Sequence, residues 1–447
     1  MIIDLKEINL SLFPQPGEMK KQLNIAKSFQ FHILQSHINM NIKFFLTLII
    51  AFIACNNLWS QSISTLQYDA EYKNDSWSQN KLGLAYENGE GVTKNTNTAF
   101  NWFQKAANNG YKYAFYNLGR HYQYGLSVQK DISKAISMYE KAASLYHAYS
   151  CLLMGKWYLN GTNVSQDNFK AARYIKDAAF GGSDEGKYYM GYIHAYGYGV
   201  AQDSIKALLW LDRALEDKYY FAYFMKGMMY QKGIAVKKDE RKAFVLYDNG
   251  DYYNNSSCTN SLAICYYEGI GVEPDTIKAI ELFEKAANQG DMYGARNLAY
   301  KYKYGNGVQR NINKAAFWFE KSALHNDETS YQELIYAYSD LKDNSSLYRV
   351  AAKGSELHFK SCMNTLAYCY AKGEGVSVDF KKAISIINEA ISLYPDDPNL
   401  YDSKGEILWL KGSKKDAKRM WEQVKSMSPT FYQDFDSELN KYIKTLN

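Results

Sequence analysis

Small and apolar residues return along this chain every 36 positions. Gly83, Gly119, Gly155, Gly191 and Gly227 form one series, continued by Ala263, Ala299 and Ile335. Val92, Val128, Val164, Val200, Val236, Val272 and Val308 form a second. Ala99, Ala135, Ala171, Ala207, Ala243, Ala279 and Ala315 form a third, all in register. Self-similarity at one period is the mark of a repeat array, in which each unit packs on its neighbours. Within a unit, Leu118, Gly119 and Tyr122 share one helical face. Gly125 is placed to stop that helix in the left-handed conformation. Asp131 is placed to cap a second helix, with Ala135, Met138, Tyr139, Ala142 and Ala143 as its apolar face. The pattern therefore predicts helix, loop, helix in every unit. A small residue at Gly119 or Ala263 lets the two helices approach closely, and a larger one there would overpack.

Three places depart from the period. The unit around Tyr331 to Gly354 lacks the glycine loop, and Ile335 to Ala367 is 32 residues, so tighter or kinked stacking is expected there. The fifth unit reads Asp248-Asn-Gly-Asp-Tyr-Tyr-Asn-Asn255 where others carry Lys-Ala-Ala, so its second helix is expected to end early. The last unit, Tyr401 to Pro429, has Gly405, Gly412, Ala417, Trp421 and Pro429 at a different spacing. The Phe431–Leu446 tail is expected to close the apolar end of the stack.

Near the N-terminus, Met40-Asn-Ile-Lys43 and the eleven apolar or near-apolar residues Phe44–Ala54 read as a signal peptide. A membrane-spanning helix needs about 20 such residues, and Asn56-Asn57 ends the run sooner. The expectation is translation from Met40, with residues 1–39 an upstream extension. Cleavage near Ser60-Gln61 and lipidation at Cys55, after Phe52-Ile-Ala, remain alternatives. Either places the mature chain outside the cytoplasm, in the periplasm or beyond, with a lipid anchor as the only membrane attachment. After residue 60 the chain holds 47 basic and 44 acidic residues. That balance, with no basic tract, argues against nucleic acid as a partner.

The string Leu82-Gly-Leu-Ala-Tyr-Glu-Asn-Gly-Glu-Gly-Val92 with Gln104-Lys-Ala-Ala107, and Leu298 to Val308 with Lys314-Ala315, resemble the Sel-one-like repeat family. That family is a branch of the tetratricopeptide-like superfamily, and the resemblance covers roughly 75–430. It implies an all-α, right-handed α/α superhelical solenoid of about nine hairpins, with the last unit resembling an ordinary tetratricopeptide hairpin. It also implies a scaffold or adaptor role. The organisation expected is 40–60 signal, 61–74 linker, 75–395 solenoid, and 396–447 terminal repeat with a capping helix. Some secreted relatives are cysteine-rich or have weak β-lactam-directed activity, which makes a cell-wall or β-lactam-directed hydrolase the alternative function.

Little else points to catalysis. The Gly-x-Gly pairs at Gly89, Gly197, Gly269, Gly305 and Gly373 follow a helix, whereas a phosphate loop follows a strand. After residue 60 five histidines remain, His121, His147, His194, His325 and His358, which are scattered, and no Cys-x-x-Cys occurs, so neither a metal nor a cofactor is expected. Cys258 and Cys265, like Cys362 and Cys369, are seven apart on one helix, about 10.5 Å, too far for a disulfide; they read as buried thiols. The repeat tyrosines Tyr86, Tyr122, Tyr158, Tyr230, Tyr266 and Tyr302 read as core, and His194 as packing.

A surface is the better candidate. Positions six and three before the repeat glycine, and one and four after it, form a stripe opposite the packing face. It includes Trp77, Tyr113, Tyr116, Arg120, Tyr149, Lys156, Tyr188, Tyr192, Phe221, Phe224, Tyr293, Arg296, Tyr300 and Lys303, together with Tyr267, Tyr336 and Tyr368. Aromatic residues fill 13 of its 36 positions, against about six expected from the 16% aromatic content. Tyrosine and arginine are common interface anchors. A concave groove for a peptide, a protein or a glycan is one reading, and ring packing between repeats is the other.

Overall fold

The computed structural model describes residues 63–428 and Thr430, and every regular element among them is α-helical. Its contacts divide the chain into two units, up to Gln166 and from Asp167. The first unit contains α1 (63–72), α2 (Ser76–Asn88), α3 (Thr96–Asn108), α4 (Lys112–Tyr124), α5 (Ile132–Ser144) and α6 (Ala148–Asn160). The second begins with α7 (Asn168–Phe180), α8 (Asp184–Tyr196), α9 (Ser204–Glu216), α10 (Phe221–Lys232), α11 (Glu240–Tyr252), α12 (Ser256–Glu268) and α13 (Thr276–Asn288). It continues with α14 (Met292–Tyr304), α15 (Ile312–Ala323), α16 (Glu328–Asp340), α17 (Asn344–Glu356), α18 (Lys360–Lys372), α19 (Phe380–Leu393), α20 (Pro398–Leu410) and α21 (Lys414–Met427). From α2 onward first and second helices alternate, and neighbours in sequence pack on one another within each unit, as in a repeat solenoid.

Local chemistry sets the ends of these helices. Gly125 ends α4 at φ 66°, in the left-handed region. Asp131 caps α5 by accepting from the Lys134 amide at 2.9 Å. The repeat glycine then decides how the hairpin closes. A Cβ on Gly119 would lie 2.5 Å from the Tyr139 ring, and one on Gly227 would lie 2.4 Å from the Tyr247 ring. Phe103, Tyr139, Tyr247, Phe283 and Phe319, all fully buried, are the rings that second helices insert against this position.

A second small-residue contact joins each second helix to the next first helix. Gly294 of α14 faces Ala286 of α13, where an added Cβ would meet the alanine methyl at 2.7 Å. One repeat earlier the larger residue changes sides. Cys258 of α12 faces Gly250 of α11, with 2.2 Å between its sulfur and a hypothetical glycine Cβ. Cys362 and Gly354 repeat that exchange, so side-chain volume is conserved across the contact. These thiols are buried and free. Burial pushes the Cys265 and Cys362 thiols up to about 12, which keeps them unreactive.

Several expectations are corrected, and others gain detail. The fifth unit's second helix, α11, does not end early but runs thirteen residues to Tyr252. Gly250 makes room for Cys258, and Asp251 accepts from Thr259 Oγ1 at 2.6 Å and Lys285 Nζ at 2.7 Å. The irregular eighth unit keeps two full helices, and its missing residues come from the connection, residues 341–343. The repeat tyrosines Tyr86, Tyr122, Tyr158, Tyr230, Tyr266 and Tyr302 are half-buried rather than fully buried core residues. Part of the expected linker is helical, with Ile63 and Ala70 buried. The signal segment, Cys55, residues 1–39, Pro429 and the Phe431–Leu446 tail lie outside the described residues.

Candidate interaction surface on the first helices

In the first unit the stripe is partly spent on internal contacts. Trp77 is exposed, with the Lys81 ammonium 5.7 Å from its ring centre. Tyr113 and Tyr116 pack on the His147 ring at 4.8 and 5.1 Å, and Tyr116 meets Tyr149 edge-on at 5.3 Å. Arg120 grips Glu87 through both terminal nitrogens, at 3.2 and 3.3 Å. Lys156 is half-buried. His147 sits at the N-cap of α6, and burial lowers its imidazole to about 4, so it is neutral near pH 7.

His121 fills a fully buried core position between the Phe100 and Phe103 rings. Its Nδ1 lies 2.6 Å from Ser127 Oγ, while Nε2 stands 3.8 Å from Glu87. The second distance exceeds hydrogen-bond reach, so the three groups clamp a loop rather than form a proton relay. Among the described residues no cluster of histidine, cysteine and carboxylate side chains could hold a metal.

In the second unit the stripe divides into two kinds of surface. On α8, Tyr188, Tyr192 and Tyr196 recur every fourth residue along one face. Tyr188 meets Tyr219 at 5.5 Å, and Tyr219 meets the exposed Phe221 at 5.5 Å. Tyr192 meets Tyr196 at 4.8 Å and Tyr198 at 5.8 Å. Tyr189 touches Tyr188 and Tyr192, at 5.2 and 6.1 Å, and so joins the two groups. Phe224 instead leans into the core beside Tyr247, at 6.3 Å. Burial pushes the Tyr188 and Tyr192 phenols up, so both remain hydrogen-bond donors at neutral pH.

On α14 the same positions are paired ionically. Arg296 lies over the exposed Tyr293 ring and reaches Asp327 at 3.0 Å. The Tyr300 hydroxyl donates to Glu333 at 3.2 Å, and the Lys303 ammonium binds the same carboxylate. Further along, Tyr368 donates to Glu406 at 2.6 Å, Lys301 covers Tyr267, and Tyr336 is exposed.

The four-position stripe missed Tyr189, Tyr196, Tyr198 and Tyr219, which complete the aromatic surface. The run of tyrosines at 188, 192 and 196 was the available signal for one of them. A separate cleft of about 400 Å³, lined by Leu208, Asp212, Lys226, Tyr230, Arg241 and Lys242, contains none of the stripe residues. No helix among the described residues is long and apolar enough to cross a membrane.

Two solved structures are similar to this chain. A protective antigen present in uropathogenic Escherichia coli strains, displaying an SLR fold, is 23% identical with a TM-score of 0.45, over 86% of this chain and 97% of that one. A Sel1 repeat protein from Oxalobacter formigenes is 22% identical with a TM-score of 0.46, over 74% of this chain and 88% of that one. No curated protein sequence matches significantly. The Sel1 repeat pattern itself matches residues 78–111, 113–147, 148–179, 184–219, 221–248, 256–291, 293–327 and 360–393, passing over the irregular eighth unit. With that pattern covering more than half its length, and with the hairpins and glycine contacts described above, the chain belongs to the Sel1 repeat family.

Proposed function

We propose that this protein is an exported, non-enzymatic scaffold that binds a partner protein or peptide through the first-helix face of its solenoid. Sel1 repeats generally mediate protein interactions, which supports the scaffold role. The observation carrying the choice of surface is the tyrosine run on α8. It presents several half-buried rings with phenolic hydroxyls where the α14 face is closed by ion pairs. Large rings with a polar tip supply contact area at low conformational-entropy cost.

The test is capture of partners from envelope extract by the wild-type chain and by a Tyr192→Ala, Tyr196→Ala variant, alongside thermal melts. Loss of capture at an unchanged melting temperature supports the groove. Undiminished capture, or unfolding of the variant, places these rings in packing instead. Export is proposed from Lys43 and the apolar run Phe44–Ala54. Mass spectrometry of the mature N-terminus would show a start near residue 61 or a lipidated Cys55, and a retained Phe13–Lys27 peptide would contradict it.

A further inference from the structure

Many surface rings of this protein carry a cation from the chain itself. Trp77 is covered by Lys81, Tyr230 by Lys242, Tyr267 by Lys301, Tyr293 by Arg296 and Tyr302 by Lys314, at 3.2–5.7 Å from the ring centres. Such contacts satisfy the negative face of an aromatic ring. The surface built on α8 is different. Tyr192, Tyr196 and Tyr198 lie 4.8–5.8 Å from one another, and Tyr188 lies 5.5 Å from Tyr219. Among the described residues, none of these five rings has a lysine or arginine over it.

The local charges deepen the difference. Lys187, the one lysine of α8, is held by Asp217 and by Asp184 at 3.6 Å. Lys226 of α10 is held by Asp212. These five rings therefore present electron-rich faces with no lysine or arginine of the chain over them.

We propose that this tyrosine track receives the arginine or lysine side chains of an extended basic segment of a partner protein. The proposal rests on the reading of the first-helix face as a binding surface and adds the chemistry of the partner. The thirteen residues of α8 extend about 20 Å, which matches roughly six residues of extended peptide. The partner's cations occupy the place that Lys242 and Arg296 take over Tyr230 and Tyr293.

The experiment titrates the purified full chain with three fluorescein-labelled octapeptides. They alternate glycine with arginine, with citrulline, or with glutamate. Citrulline keeps the planar shape of arginine without its charge, with a carbonyl acceptor in place of one NH2 donor. The arginine peptide is expected to bind about fivefold to thirtyfold tighter than the citrulline peptide, and the glutamate peptide is expected not to bind. Tyr192→Leu with Tyr196→Leu is expected to remove that advantage at an unchanged melting temperature, while Tyr192→Phe with Tyr196→Phe keeps it. Equal binding of the arginine and citrulline peptides, both lost in the leucine variant, overturns the cationic assignment and leaves the surface for a neutral peptide or glycan. Arginine-peptide binding that survives the leucine variant also overturns it, as attraction elsewhere on the chain. If that variant captures envelope partners undiminished as well, the surface reading falls with it.

Discussion

Helices α8 and α14 present equivalent repeat positions: Tyr188 and Arg296, Tyr192 and Tyr300, Ala195 and Lys303. Each meets the next first helix at an equivalent place as well. Tyr188 meets Tyr219 in a tilted contact at 5.5 Å, and Arg296 binds Asp327 at 3.0 Å; residues 219 and 327 are again three repeats apart. Asp327 does two things, because it also caps α16 by accepting from the Ser330 amide at 3.0 Å. Tyr219 supplies no such bond, and α10 begins a residue later without a side-chain cap. An aromatic contact has replaced a cap and an ion pair. A cap contributes about 1 kcal/mol, so the tyrosine surface is maintained at some cost in local stability. Position within the repeat does not decide what a stripe residue does; the residue offered by the next repeat does.

The largest expected effect lies beneath the tyrosine surface. Gly227→Val drives a side chain into the Tyr247 ring and is expected to destabilise by about 3 kcal/mol. A chemical-denaturation midpoint within error of wild type would show that the glycine is not required for packing. Next, Asp327→Ala removes a cap and leaves Arg296 without its partner, for a loss of about 2–3 kcal/mol. Hydrogen exchange should localise that loss to α14–α16, and a change centred on α8–α10 would contradict the comparison. Tyr219→Asp is the converse: it restores the cap, stabilises α10 by about 1 kcal/mol, and removes a ring from the track. Weaker arginine-peptide binding with slower exchange in α10 is the expected pair of results.

Acid distinguishes a third contact of the ionic kind. Asp397 occupies the repeat position of Asp327 and Tyr219 and pairs with Lys360 at 2.5 Å. Burial alone would raise the Asp397 carboxyl, but hydrogen bonds from Lys360 and Asn399 outweigh it and hold the carboxyl below the ordinary 3.8. The folded chain therefore binds fewer protons here than the unfolded chain, and the contribution present above pH 4 is lost as the pH falls through the depressed value. Hydrogen exchange in α20 should accelerate below pH 4 in the wild type, and with a shallower pH dependence in Lys360→Ala. Smallest of all, Tyr196→Leu is expected to change stability by less than about 1 kcal/mol, read as a melting-temperature shift.

Much of the fold was legible because its determinants are local and repeat. Gly125 and Asp131 mark helix ends through their own backbone and side-chain chemistry, and Gly119 marks the close approach to Tyr139 within one hairpin. Reading failed where a residue's partner sits in the next repeat. The sequence around Gly250 looks like a helix end until Cys258, Thr259 and Lys285 fill in its neighbours. Arg296 and Lys303 look like free anchors until Asp327 and Glu333 bind them, 31 and 30 residues away. The aromatic surface was half seen: Tyr188 and Tyr192 fell on the stripe, whereas Tyr198 and Tyr219 come from two connections that no single-helix face contains.

The 36-residue period by itself determined the helix pairs, their caps and the small residues that let them close, because each follows from bonds and sterics within one hairpin. Only the tertiary structure decided which outward residues remain available. Stacking brings together side chains a whole repeat apart, and the outcome depends on whether an arginine meets a carboxylate or a tyrosine meets another ring.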